Sequence, residues 1–362
     1  MDFSKIFIKN ASPTKVGGQA VLDGIMMKGE HRTAVVVRFP DGTMHIKTEM
    51  LPEKKAWSKL PLLRGVFMFV SALVTGTKTL MYSAEVLESY EGEGAQVYED
   101  DKLTLFLEKK FGEKGAWNVM LYSAVVIALV LTIGVFIIAP TWVVNFCKYF
   151  TVNEIALNLI EGFFRIILFV LYVVLISKMK DIRTVFQFHG AEHMCIHCYE
   201  NKLELTPENC KNFYTLHPRC GTSFLMFVMV ISLILFSLLG WPDLVLRITS
   251  RLLLIPVIAG LSYELLRWAG MSDNFVVRIV SLPGLYLQKL TTREPDEKQL
   301  EVAIAAMKAV LADKSEPCYE GKCDKEGRLA APAEQEEQEE REENEFSSQG
   351  YDADGSGPAG EE

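Results

Sequence analysis

The sequence predicts a mainly α, polytopic membrane protein. It should have about four transmembrane helices, a small N-terminal β-hairpin-containing cytoplasmic region and a disordered acidic C-terminal tail. Three observations predict this. The 362 residues are 49% hydrophobic with a mean hydropathy of +0.17, above the norm for a soluble chain. The excess is concentrated: residues 116–147 form a run of 32 without a charge, 222–241 are a second uncharged run, and 252–263 are the heart of a third. The last 32 residues hold twelve acidic side chains against one basic, Arg341, so the tail carries −11 and the preceding 330 residues +2 of a whole-chain charge of −9.

These numbers also exclude function classes. A nearly neutral body does not indicate a nucleic-acid partner. Seven cysteines, an odd number scattered through the chain, are not a secreted disulfide framework. The first residues, MDFSKIFIKNASPTK, contain no apolar stretch of the kind a cleavable signal peptide needs.

In chain order, residues 1–60 read as an N-terminal cytoplasmic region. Thr33 to Phe39 and Thr43 to Met50 are rich in β-formers and flank Pro40-Asp41-Gly42, which predicts a hairpin. GGQAVLDGIMMKG, from Gly17, reads as a turn-rich segment on the membrane face; the alternative is that Gly17-Gly18 brings backbone N–H groups close to an anion, although the spacing is neither a P-loop nor G-x-G-x-x-G. Residues 61–115 read as interfacial and cytoplasmic helices. Within them, 62–84 are interrupted by Arg64 and Lys78, leaving thirteen uncharged residues between, short for a span. Residues 116–270 form the membrane domain, with helices near 117–140, 157–177, 222–240 and 247–268. In the second of these, Glu161 and Arg165 stand four apart and can neutralise each other on one face. Residues 271–314 comprise an interfacial segment, broken at Pro283-Gly284, and an amphipathic helix over 296–313. From 315 to 362 the composition turns to Gly, Pro, Glu and Gln and predicts disorder.

The flanking charges set an orientation. Lys109, Lys110 and Lys114 precede the first span, Lys178, Lys180 and Arg183 follow the second, Arg219 precedes the third and Arg267 ends the fourth. The other side has Lys148 and Arg247. The positive-inside rule then places both termini and the 178–221 loop in the cytoplasm of a multi-pass cell-membrane protein. Cysteines there are expected as free thiols.

The chemistry concentrates in that loop, in FQFHGAEHMCIHCYE. On a helix His189 and His193 are four apart and share a face with Glu192 beside them, the H-x-x-E-H arrangement of inverted zincins. Two imidazoles at that spacing converge on one divalent ion, zinc by preference, and the carboxylate is placed to act as general base. The alternative is a polar helix whose histidines only hydrogen-bond. His197 extends the stripe by a turn. Glu264, near the cytoplasmic end of the fourth span, and His217 are the candidates for a third ligand, with Cys220 at the same membrane level a further one. Cys195-x-x-Cys198 is half of a four-cysteine site and does not suggest a cysteine-rich structural zinc.

At GGQAVLDGIMMKG, FHGAEH, HPRCGTSF and PGLYLQKLTTREPD the chain resembles the YqhQ-like bacterial membrane proteins, over about residues 14–312. FHGAEH falls on Phe188 to His193 and HPRCGTSF on His217 to Phe224. The family's motif commonly continues with lysine where this chain has Met194. The resemblance implies a membrane protein of unknown function, sometimes described as a predicted metal-dependent enzyme. Two classes stay open: a metal-dependent hydrolase, and a non-enzymatic scaffold docking a translocation or ribosome-associated partner, with a structural metal or none. The expected partners are the lipid bilayer and a protein at the cytoplasmic face, with no nucleic acid. An open coordination position would favour the enzyme and a closed one the scaffold.

Overall fold

The computed structural model describes residues 13–52, 60–91, 102–112, most of 115–149, 151, 153–240, 244–272, 274–324 and 327–329. Five antiparallel strands form one sheet in the order β1 (Gly17–Val21), β2 (Gly24–Lys28), β3 (Arg32–Arg38), β4 (Met44–Met50) and β5 (Glu320–Cys323). The predicted hairpin is β3–β4, in register from Arg38↔Met44 to Arg32↔Met50. Its loop closes through Gly42, at φ +92°, whose N–H donates to the Phe39 carbonyl at 2.9 Å, while Asp41 accepts from the Thr43 N–H and hydroxyl at 2.8 and 2.7 Å.

GGQAVLDGIMMKG is itself the hairpin β1–β2 rather than an irregular turn segment, with Val21 paired to Gly24 and Asp23 in the left-handed region at φ 44°.

Both faces of the sheet are buried, which is why β3 reads as an unbroken RTAVVVR rather than an alternating strand. Ile25, Met27, Ala34, Val36, Met44 and Ile46 face α5 (Lys180–Glu200) and α10 (Glu297–Leu311). Met26, Val35, Val37 and Phe39 face the C-terminal half of α1 (Leu63–Glu91), through Tyr82, Val86, Leu87 and Tyr90. The predicted amphipathic helix is α10. It begins with a capping box between Asp296 and Gln299, and is enclosed on most sides, its one buried carboxylate, Glu301, taken by Arg38 at 2.8 Å.

One expectation is overturned here. The chain is not disordered from residue 315: Thr48 and Tyr319 share three hydrogen bonds, the fully buried Arg32 donates to the Asp313 and Glu316 carbonyls at 2.7 and 2.8 Å, and β5 pairs with β4. Composition is local, whereas this segment is held by a partner far off in sequence, Thr48 and Tyr319 being 271 positions apart. The acidic stretch 330–362 lies outside the described residues.

Among the described residues, four helices are long and apolar enough to cross a membrane: Leu63–Tyr90, Val126–Cys147, Glu154–Ile176 and Thr249–Met271. The number agrees with the sequence, but the membership differs in two places. The segment read as interfacial is one unbroken helix, α1; its Arg64 is neutralised by Glu264, and its second half lies along the sheet. The apolar run after residue 220 forms a shorter helix, α7 (Gly221–Ser237), of 17 residues. It packs against α4 (Glu154–Ile176), α8 (Leu244–Met271) and α9 (Phe275–Thr291). Pro283 does not break α9, which continues to Thr291. Within the bundle Glu161 pairs with Arg165 at 2.7 Å, as its spacing suggests, and with Arg251 of α8 at 2.6 and 2.8 Å.

Candidate metal centre

The H-x-x-E-H segment lies in α5, whose helical period lines up His189, His193 and His197, with Glu200 one turn further. The residues between them have their own reasons. Ala191 is fully buried, and a Cβ at Gly190 would stand 2.0 Å from the Arg293 carbonyl oxygen, so only glycine lets α5 approach the chain leaving α9. That chain and the segment after α6 (Pro207–Cys210) supply the groups that hold the imidazoles.

Two groups of ligand-type side chains result. In the first, ligand atoms of His189, His193 and Cys220 lie within 4.8 Å of one another. His189 Nδ1 contacts the Thr291 carbonyl at 2.8 Å and His193 Nδ1 the Thr215 carbonyl at 2.6 Å. A carbonyl only accepts, so both Nδ1 atoms carry the hydrogen and both Nε2 lone pairs are left for something else. His189 Nε2 stands 3.1 Å from Cys220 Sγ. Cys220 is the N-cap of α7 and accepts from the Thr222 N–H at 3.5 Å, where a helix dipole favours an anionic ligand. His189 is partly exposed while His193 and Cys220 are buried, so the group has one accessible side.

In the second, His197, Glu200 and His217 also bring ligand atoms within 4.8 Å. This group has a cation already. Arg219 pairs with Glu200 and places Nη2 3.5 Å from His217 Nε2, and the Thr14 N–H donates to the same carboxylate at 2.7 Å. His197 donates from Nε2 to the Leu216 carbonyl at 2.9 Å, and the His217 backbone is clasped by the Gln288 amide at 2.8 and 2.9 Å. Burial pushes the His197 imidazole down to about 4, with His193 and Arg219 adding to the effect. It pushes His217 well below its ordinary range, with His197, Arg219 and His193 adding. Beside these imidazoles the Arg219 guanidinium is the charge already paired with Glu200.

Of the sequence-predicted residues, His189 and His193 therefore meet Cys220. His197 and His217 belong to the other group, joined through a ring-centroid distance of 4.6 Å. His217 is thus not brought to the first group as its third ligand. Glu264 is not either: its carboxylate is bound by the Arg64 guanidinium, with Nε at 2.6 Å, because α1 packs against α8 where Gly65 meets Gly260. Glu192 lies on the neighbouring face of α5, 5% exposed. Burial pushes its carboxyl up to about 6, against the opposing influence of His189 and of the Gly18 N–H that donates to it.

Sequence reading missed Thr14, Glu200 and the carbonyls of Thr215 and Thr291, while the Gly18 N–H does approach an anion, the Glu192 carboxylate. Glu200 alone had a signal, its place on the histidine stripe. All seven cysteines are free; Cys195, Cys198 and Cys210 are buried in the core beside α10.

Fold and site together define a helical membrane-type protein whose sheet-covered core carries a buried histidine–cysteine cluster. The chain belongs to the family described as "Protein of unknown function (DUF1385)", whose model matches residues 60–313. It is 34% identical over 308 residues to the "Uncharacterized protein YqhQ" of Bacillus subtilis (strain 168), across 84% of this chain and 94% of that protein. No solved structure matches.

Proposed function

We propose that His189, His193 and Cys220 bind one divalent metal ion, and that the protein is a membrane metallohydrolase with Glu192 as general base. The observation that carries this is the pair of Nδ1–carbonyl contacts, at 2.8 and 2.6 Å, which leave the Nε2 lone pair of both imidazoles available, that of His189 3.1 Å from Cys220 Sγ. Two imidazoles and a thiolate suit zinc, and three protein ligands leave a fourth position, the pattern of catalytic rather than structural zinc. Such an ion supplies a Lewis acid. The chain's own contribution is a carboxylate that accepts a proton from water near neutral pH, since burial has raised Glu192 to about 6. The partly exposed His189 gives the side from which water and substrate reach it.

One observation favours a second reading, a structural metal in a scaffold: Glu192 is capped by the Gly18 N–H and almost fully enclosed. Elemental analysis and a complementation assay separate the two. Glu192→Gln keeps the metal in both. It abolishes complementation if Glu192 is the base and complements fully if the metal is structural. Wild-type protein purified without metal would refute both.

The centre faces the cytoplasm in this proposal, as the lysine and arginine asymmetry suggests. Cysteine labelling at Lys202 in intact cells checks this, and external reaction there would reverse the topology.

A further inference from the structure

A cavity of about 260 Å³ opens between the β1–β2 hairpin and α1, lined by Lys15, Gly17, Gly18, Gln19 and Lys28 on one side and by Met68, Ala72 and Thr75 on the other. The last three lie on one face of α1, at helical spacing. Two features fix its depth. Eight residues before Leu73, Gly65 of α1 packs against Gly260 in a helix apolar enough to cross a membrane. From Gly76 onward α1 contacts the sheet, through Gln19 to the Gly76 carbonyl at 3.3 Å, Leu22 to Ser83 at 3.3 Å and Val86 in the sheet's core. Residues 68–75 are therefore where α1 passes from the apolar bundle to the sheet, the level assigned here to the bilayer headgroups.

We propose that this cavity receives the phosphate-bearing headgroup of an anionic phospholipid. Lys15 and Lys28 stand at its rim, no carboxylate is among its described lining residues, and Glu30 lies 2.6 Å from Lys15 Nζ. Basic side chains at that depth attract anionic lipid. Met26, Met68 and Ala72 suit the glycerol and upper acyl carbons, which a free phosphate ion lacks. The source is therefore the bilayer. Gly17 leaves the cavity open: a Cβ built there meets nothing within 4 Å. Gly18 forms the wall towards the metal group, with its N–H on Glu192 and the Glu192 Cδ 2.9 Å from where a Cβ would stand. That the bound lipid is the hydrolase's substrate rests on the proposed function; that the cavity binds it does not.

The test uses the full chain in nonionic detergent and a fluorescent short-chain phosphatidylglycerol. Saturable binding is expected, with the phosphatidylcholine analogue binding roughly ten-fold more weakly. Lys15→Gln and Lys28→Gln should each weaken binding roughly five-fold. Gly17→Leu projects into open space, so it should abolish binding while the thermal midpoint stays unchanged. Inorganic phosphate and glycerol 3-phosphate should not displace the probe at equal concentration. Binding should persist in His193→Ala, so failure of the metal reading leaves this one standing. Equal binding of the two lipids, wild-type affinity in the lysine or Gly17→Leu variants, or displacement by inorganic phosphate would each overturn the proposal.

Discussion

Two groups of potential ligands sit one turn apart along α5, built from the same kinds of side chain. His189, His193 and Cys220 have two imidazoles fixed by carbonyls, with the Glu192 carboxylate near enough for His189 to act on it. His197, Glu200 and His217 have Arg219 in the position a cation would take. The difference teaches that helical spacing nominates ligands but the neighbouring charge decides what they hold. In the first group the tautomers leave two Nε2 lone pairs beside a thiol, the arrangement on which the proposed metal site rests. In the second a guanidinium has already satisfied the carboxylate.

The sharpest way to break this comparison is to remove one histidine from each group. His193→Ala and Cys220→Ser should reduce bound metal from about one equivalent to background by elemental analysis, whereas His197→Ala should leave it. Equal loss in both would mean the groups act as one centre. The comparison can also be inverted. Arg219→Met leaves Glu200 buried without its cation, at a cost of about 4 kcal/mol in urea unfolding. If charge is what excludes metal, that variant should take up a second equivalent of zinc, and Glu200→Gln/Arg219→Met should not.

Gly190→Ala tests the scaffold both groups share. Its Cβ would stand 2.0 Å from a backbone oxygen that has little freedom to move, so the variant should lose roughly 3 kcal/mol. Gly17→Ala, with open space around it, should lose none of consequence.

The smallest effect concerns acid. His197 is held at about 4 when folded against an ordinary 6.5, so the unfolded chain takes up the proton first. In metal-stripped protein the stability present at pH 7 should fall as the pH drops from about 6.5 towards 4, by at most roughly 3 kcal/mol. A urea midpoint unchanged across that interval would show the imidazole to be hydrated rather than buried.

Much of the architecture was legible along the chain. The β3–β4 hairpin was written in Pro40-Asp41-Gly42, α10 in the periodicity and capping of 296–313, and the membrane class in three uncharged runs. What misled was composition read without partners. Arg64 and Lys78 counted against a long apolar helix, yet Arg64 meets Glu264, 200 residues away. Pro283 suggested a break that α9 does not make. The polar segment after residue 315 suggested disorder where β5 completes the sheet.

By itself the sequence determined the helix that carries His189, Glu192 and His193, because a period of 3.6 residues places side chains four apart on one face whatever surrounds them. It also determined that this helix lies beside apolar segments, since uncharged runs of that length have few other places to go. Only the tertiary structure decided that Cys220 rather than Glu264 or His217 completes the first group, that Arg219 occupies the second, and that Gly18 closes over Glu192. Those are contacts between residues separated by tens to hundreds of positions. The charge, hydrogen bonds and burial that select among similar side chains arise only when the packed chain brings such residues within a few ångströms.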